Sequence, residues 1–317
     1  MKSKLKGNVI LLISALIWGT AFVAQSEGMR YVEPFTYNAV RTLLGGIVLI
    51  PVITAFKWRR NEKSSENVRS GAGKITVTGG IVCGIFLFIA SSFQQWGIVE
   101  TTAGKAGFIT ALYVTIVPLI ELVVYRRSSL KVWFCVFLAL TGFYLLCIKD
   151  GFTIGRGDLL VLCGAFFYAG HIMVIDRFNE KKADGMIMSC IQFFIAGLLM
   201  TICMFLFENP RLEAVFDAKY TILYAGVMSC GAAYTLQIIG QRYTDPASAT
   251  LIMSLESVFA ALSGWLILNE ALSFKEFFGC ALVFAAVILC QLGAVTPTKI
   301  KENKKIKRRK EDEKTSE

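Results

Sequence analysis

The chain has 317 residues, 55% hydrophobic and 18% charged, with a formal net charge of +10 and a mean hydropathy of +0.58. A soluble domain carries about 45–50% apolar and roughly 25% charged residues, whereas here whole runs such as 9–24, 75–90 and 189–207 hold no charge. Because a helix needs about 20 mostly apolar residues to cross a bilayer, these proportions exclude a soluble enzyme, a secreted disulfide scaffold and a nucleic-acid-binding domain.

In chain order, residues 1–6 form a short N-terminal segment, and five membrane helices are predicted at 7–26, 35–56, 75–97, 105–125 and 132–148. The first has the outline of a signal peptide. Its length, the lack of a small-x-small cleavage site and the many similar runs behind it make it a membrane helix instead. The one long connection, 57–74, is rich in charge, Ser and Gly and reads as a flexible loop. Five more helices follow at 159–178, 186–207, 219–240, 247–268 and 275–294, and 295–317 is a basic tail that reads KIKENKKIKRRK over 299–310. Such a tail is attracted to anionic lipids, or is simply a solvated segment on the cytoplasmic side.

Loop charge sets the orientation. With the N-terminus inside, 25 of the 33 Lys and Arg residues fall on the cytoplasmic side and 7 on the outer side, with Arg41 inside a helix. Both termini are therefore expected in the cytoplasm of a multi-pass inner or plasma membrane protein. The nine cysteines lie in apolar stretches without a C-x-x-C pair, so they read as small core hydrophobes, and neither a metal site nor another cofactor is expected. No Walker A sequence, HExxH or G-x-S-x-G is present.

The two halves resemble each other. At an offset of 150, Gly7-Asn8 faces Gly157-Asp158, and Ala15-Leu16-Ile17-Trp18 faces Ala165-Phe166-Phe167-Tyr168. At an offset of 143, Phe93-Gln94-Gln95-Trp96-Gly97 faces Leu236-Gln237-Ile238-Ile239-Gly240, Leu112 faces Leu255, and Cys147 faces Cys290. The longer 57–74 loop accounts for the difference. Five helices per copy is odd, so the copies run in opposite senses across the membrane. That is the architecture of secondary carriers, whose sites lie near the midplane between the halves.

The fold class expected is thus an all-α polytopic membrane protein of ten transmembrane helices in two inverted five-helix repeats, 7–148 and 149–294. The sequence resembles the drug/metabolite transporter superfamily and, within it, the EamA-type permeases. The resemblance is carried by Ala15–Gly19, Arg41, Gln241-Arg242-Tyr243, the stretch Leu255-Glu256-Ser257-Val258-Phe259-Ala260-Ala261-Leu262, and Trp265 through Asn269-Glu270. Ser257 and Asn269 stand where that family commonly has Pro and Gly. The resemblance implies ten helices in two EamA repeats and movement of small metabolites, with export of amino acids or related compounds among the activities.

Ionisable residues at membrane depth are costly and are functional candidates by default. Glu256, near the midplane of the ninth helix, can hold a substrate amine, exchange a proton or fix packing. Arg41 can neutralise a substrate carboxylate or form a structural ion pair. His171 suits proton exchange or is a satisfied core residue, and Glu121 lies near enough to a helix end to snorkel. Three repeat-related pairs complete the candidate site: Trp18 with Tyr168, Gln94 with Gln237, and Tyr113 with Glu256. If the repeats enclose a cavity, these positions line it from both sides, and the aromatics can stack on a substrate or attract a cation. Gly80 and Gly84 suit close helix packing, and Pro118 suits a kink. The reading is a permease for a small-molecule substrate, working by alternating access and sufficient as a monomer, with a homodimer equally compatible. The competing readings are a sensor or scaffold that docks partners through its tail, and a membrane-embedded lipid-modifying enzyme.

Overall fold

The computed structural model describes residues 2–59, 69–101, 103–125, 129–147, 155–268 and 273–291, and these are helical with short connections and no strands among them. The first half holds α1 (Lys2–Gly28), α2 (Pro34–Arg59), α3 (Arg69–Glu100), α4 (Ala103–Ala111), α5 (Tyr113–Tyr125) and α6 (Leu130–Cys147). The second holds α7 (Arg156–Glu180), α8 (Gly185–Phe207), the short α9 (Leu212–Asp217), α10 (Lys219–Leu223), a π-helical segment (Tyr224–Tyr234), α11 (Thr235–Gly240), α12 (Pro246–Met253), α13 (Glu256–Leu268) and α14 (Phe274–Gln291). The 57–74 loop is narrower than expected, since α2 runs to Arg59 and α3 starts at Arg69. The basic tail and Asn269-Glu270 lie outside the described residues.

Eight helices are long and apolar enough to cross a membrane among the described residues, fewer than the ten expected. The fifth helix of each copy, α6 and α14, gives a shorter apolar stretch among the described residues, Leu130–Leu145 and Phe277–Cys290.

Packing repeats along with the sequence. α2 packs on α8 and α6 on α14, while α1 packs on α13 and the π–α11 segment as α7 packs on α3, α4 and α5. Equivalent glycines make equivalent close approaches. A Cβ at Gly7 would lie 2.6 Å from Tyr243 Cβ and 3.1 Å from the Gly240 carbonyl oxygen; one at Gly157 would lie 2.7 Å from Glu100 Cβ and 2.9 Å from the Gly97 oxygen. Both contacts obey the two offsets read from the sequence. A hydrogen bond repeats as well: Thr244 Oγ1 donates to Asn8 Oδ1 (3.3 Å), and Thr101 Oγ1 donates to Asp158 Oδ1 (2.8 Å). In the second of these, Lys105 Nζ lies 2.5 Å from Asp158 Oδ2, whereas Ser248 occupies the Lys105 position in the other copy. Gly80 and Gly84 let α3 approach Ile191 and Ile195 of α8.

Two local irregularities place side chains at the centre. The fourth helix of each copy is interrupted at the same place, with the α4–α5 break at Leu112 and the α12–α13 break at Ser254-Leu255. The backbone tightens there, Leu112 N–H reaching Ile109 O and Leu255 N–H reaching Ile252 O. Pro118 is not the cause of the paired break, because the second copy breaks with no proline in α13. The π-helical segment has no counterpart in α3. Its Cys230 and Gly226 pack against Gly45 and the Arg41 carbonyl of α2, and π segments frequently mark functional sites.

Candidate functional site

Trp18, Arg41, Gln94, Tyr113, Tyr168, Gln237 and Glu256 line one cavity, together with Gln25, Thr110, Ser229, Tyr234 and Met253. It is supplied by α1, α2 and α3, by the broken α4–α5 and α12–α13, and by α7, the π segment and α11. The interruptions explain part of this convergence, since Tyr113 and Glu256 are the first residues after the two breaks. The cavity measures about 40 Å³, room for a few water molecules.

On one side Glu256, 4% exposed, accepts a hydrogen bond from the Tyr113 hydroxyl at 2.8 Å. Arg41 is equally buried on the other side. Its Nε donates to Asn38 Oδ1 (2.8 Å), whose Nδ2 is held by the Ser91 carbonyl (3.0 Å), and its guanidinium lies 5.6 Å from the Tyr37 ring centroid. Among the described residues no carboxylate is within ion-pair distance of Arg41 or any cation within that distance of Glu256. Burying a charge without a partner is costly, so such a group is paired or neutralised; here Arg41 and Glu256 line one cavity and neither is ion-paired with the other.

Between them runs a polar chain. The Tyr168 hydroxyl donates to Gln94 Oε1 (3.1 Å), and Gln94 Nε2 donates to Thr110 Oγ1 (2.9 Å). Tyr234 O–H reaches the Tyr168 oxygen at 3.4 Å and meets the Trp18 ring edge-on at 4.9 Å between centroids.

His171 is placed apart from the others. It is buried but does not line the cavity; it stands behind Tyr234, ring centroids 6.0 Å apart, with Nε2 3.0 Å from Gln192 Oε1 on α8. Glu121 is half-buried on α5, also off the lining. The lining residues missed by sequence reasoning were within its reach. Gln25 lies two turns after Trp18, Thr110 three residues before Tyr113, and Tyr234 three before Gln237, so each shares a helical face with a candidate already named. Ser229 carries no such signal, because the π turn shifts its direction.

Comparison with known proteins gives a consistent result. The model of the EamA-like transporter family matches the chain twice, over residues 5–148 and 155–291. An "Uncharacterized transporter" of Archaeoglobus fulgidus is 29% identical over 91% of this chain and 87% of its own length. "Uncharacterized transporter YwfM" of Bacillus subtilis is 26% identical over 90% and 94% of the two chains, and "Uncharacterized inner membrane transporter YedA" of Escherichia coli is 24% identical over 88% of each. A crystal structure superposes with a TM-score of 0.72 at 19% identity, covering 90% of this chain and 96% of the other, a likeness of fold alone.

Proposed function

The chain belongs to the EamA-like transporter family and is a multi-pass membrane transporter, and from that premise we propose that it is a secondary carrier for small amphoteric metabolites of the amino acid type. The observation that carries this reading is the pairing of Arg41 and Glu256 on one buried cavity with no counter-charge for either. A substrate carboxylate would meet the Arg41 guanidinium in the planar geometry that Arg favours, and a substrate ammonium would meet Glu256, with Tyr113 holding that carboxyl in place. The aromatic rings of Trp18, Tyr168 and Tyr234 would cover the body of the molecule.

The carrier would have ten spans in two inverted copies, 7–148 and 149–294, with both termini cytoplasmic. Support comes from the paired contacts at Gly7 and Gly157, from the paired helix breaks, and from the loop charge. It would work by alternating access. The cavity is walled by buried side chains of both repeats, and passage would open it by separating the helices around it, first toward one face and then the other. A basic tail attracted to anionic lipids is part of the same proposal, as is export as the direction of transport.

Thermal unfolding of the purified protein in detergent tests the substrate class. Three sets of compounds are compared: α-amino acids, the amines that lack their carboxylate, and the acids that lack their amine. A ligand bound only to the folded state stabilises by about 2.7 kcal/mol at a hundredfold excess over Kd. Stabilisation by amino acids, lost in both Arg41→Met and Glu256→Gln, is expected. Equal stabilisation by one of the monofunctional sets would overturn the amphoteric assignment.

A further inference from the structure

The cavity is built from repeat-related residues, yet its two halves are not wired alike. In one half the amide of Gln94 is fully used: its oxygen accepts from Tyr168 (3.1 Å) and its nitrogen donates to Thr110 (2.9 Å). At the equivalent positions of the other half stand Trp18, Gln237 and Met253. The indole cannot reproduce the hydroxyl, and the thioether is a poor acceptor in place of the Thr110 oxygen. As a result Trp18 Nε1 and Gln237 Oε1 are both buried with no hydrogen-bond partner, and so is Gln25 Oε1, whose own Nε2 is turned back to the Ala21 carbonyl (3.3 Å). Gln237 is 2% exposed and Gln25 4%. Buried polar atoms are rarely left unpaired, and leaving one so is costly. One N–H donor and two amide acceptors, all on side chains that line the same cavity, therefore offer partners to a group that is donor and acceptor at once.

We infer that Trp18, Gln237 and Gln25 form a neutral polar subsite that selects substrates bearing a hydroxyl or carboxamide. The inference rests on the amphoteric-carrier reading, with Arg41 and Glu256 taking the two charges of the substrate. The substrate oxygen accepts from Trp18 Nε1–H, and its own O–H or N–H donates to Gln237 Oε1 or Gln25 Oε1. No charged side chain takes part, so an ammonium or carboxylate on the substrate side chain is not favoured there. An apolar side chain would leave these three atoms unpaired and would bind less well. A site built to hydrogen-bond a substrate discriminates strongly against the isostere that lacks the group. Tyr168 and Gln94, already satisfied by each other, contribute shape but not this preference.

Binding of matched pairs to the purified full-length protein tests it: threonine against valine, serine against alanine, asparagine against leucine. Each pair differs chiefly in whether the polar group is present. In the wild type the hydroxyl or carboxamide member is expected to bind at least about tenfold more tightly. Trp18→Phe, which keeps an aromatic ring but removes the N–H, and Gln237→Leu are each expected to bring that ratio close to one. A wild-type ratio near one, with all six compounds binding, would overturn the subsite and leave the amphoteric carrier standing. Failure of all six to bind the folded wild-type protein would overturn both. The wild-type ratio decides the matter even where a variant fails to fold.

Discussion

Tyr113 and Glu256 occupy equivalent positions in the two repeats, and they are hydrogen-bonded to each other at 2.8 Å. In the inverted arrangement proposed above, two copies of one position meet only at the axis that relates the copies, so this bond would mark that axis at the wall of the central cavity. Both residues follow directly on the break in the fourth helix of their repeat. One repeat supplies the donor of this bond and the other the acceptor.

Stability and binding separate at this bond. Tyr113→Phe leaves a buried carboxyl without its hydroxyl partner and is expected to lower unfolding stability by about 1–3 kcal/mol, read by thermal or denaturant unfolding in detergent. Glu256→Gln keeps an acceptor for the Tyr113 hydroxyl, so its stability is expected to stay within about 1 kcal/mol of the wild type while amine recognition is lost. A Glu256→Gln variant that is as unstable as Tyr113→Phe would make the residue a packing group alone.

The equivalent glycines make an internal control. Gly7→Ala and Gly157→Ala both force a methyl group to within 3 Å of a neighbouring Cβ, and each is expected to cost about 1–3 kcal/mol as overpacking. Gly73, whose added Cβ meets nothing within 4 Å, is expected to gain up to about 1 kcal/mol on replacement by Ala from helix propensity. Unequal costs at Gly7 and Gly157 would argue against equivalent packing.

Much of this architecture is legible in the sequence, because a membrane helix must be apolar along its whole length and its loops carry the charge. The Gly7/Gly157 and Gln94/Gln237 matches could be found because backbone approach and buried amides constrain residue type more than lipid-facing positions do. Other features were hidden for physical reasons. Helix breaks without proline, as at Ser254-Leu255, leave no compositional trace. A π segment has the same residues as an α-helix, so the direction of Ser229 could not be read. The distinction between His171 and the cavity residues depends on rotation of α7 by less than one residue step, finer than apolar periodicity resolves when a helix is hydrophobic all round.

His171 and Gln192 are expected to act as a structural pair. Each single change to Leu strands the other partner in the core, whereas His171→Leu with Gln192→Leu removes both, so the double variant should be more stable than the sum of the singles implies by about 0.5–3 kcal/mol. A double-mutant cycle on unfolding free energy checks this. Amino acid affinity is expected to be unchanged across the cycle wherever the protein folds.

Asp158 accepts from Thr101 Oγ1, Lys105 Nζ and the Gly155 N–H, tying the turn between α3 and α4 to the start of α7. Asp158→Ala is expected to lower stability by about 1–3 kcal/mol, measured by thermal unfolding. A neutral outcome would show that this contact is made and broken without cost to the folded protein.

The most direct test of the central claim is exchange of labelled amino acid across proteoliposomes that hold the purified protein. Exchange by the wild type, saturable and lost in both Arg41→Met and Glu256→Gln while those variants remain folded, is the predicted result. Exchange at the wild-type rate in either variant would contradict a central site that holds the two charges of the substrate.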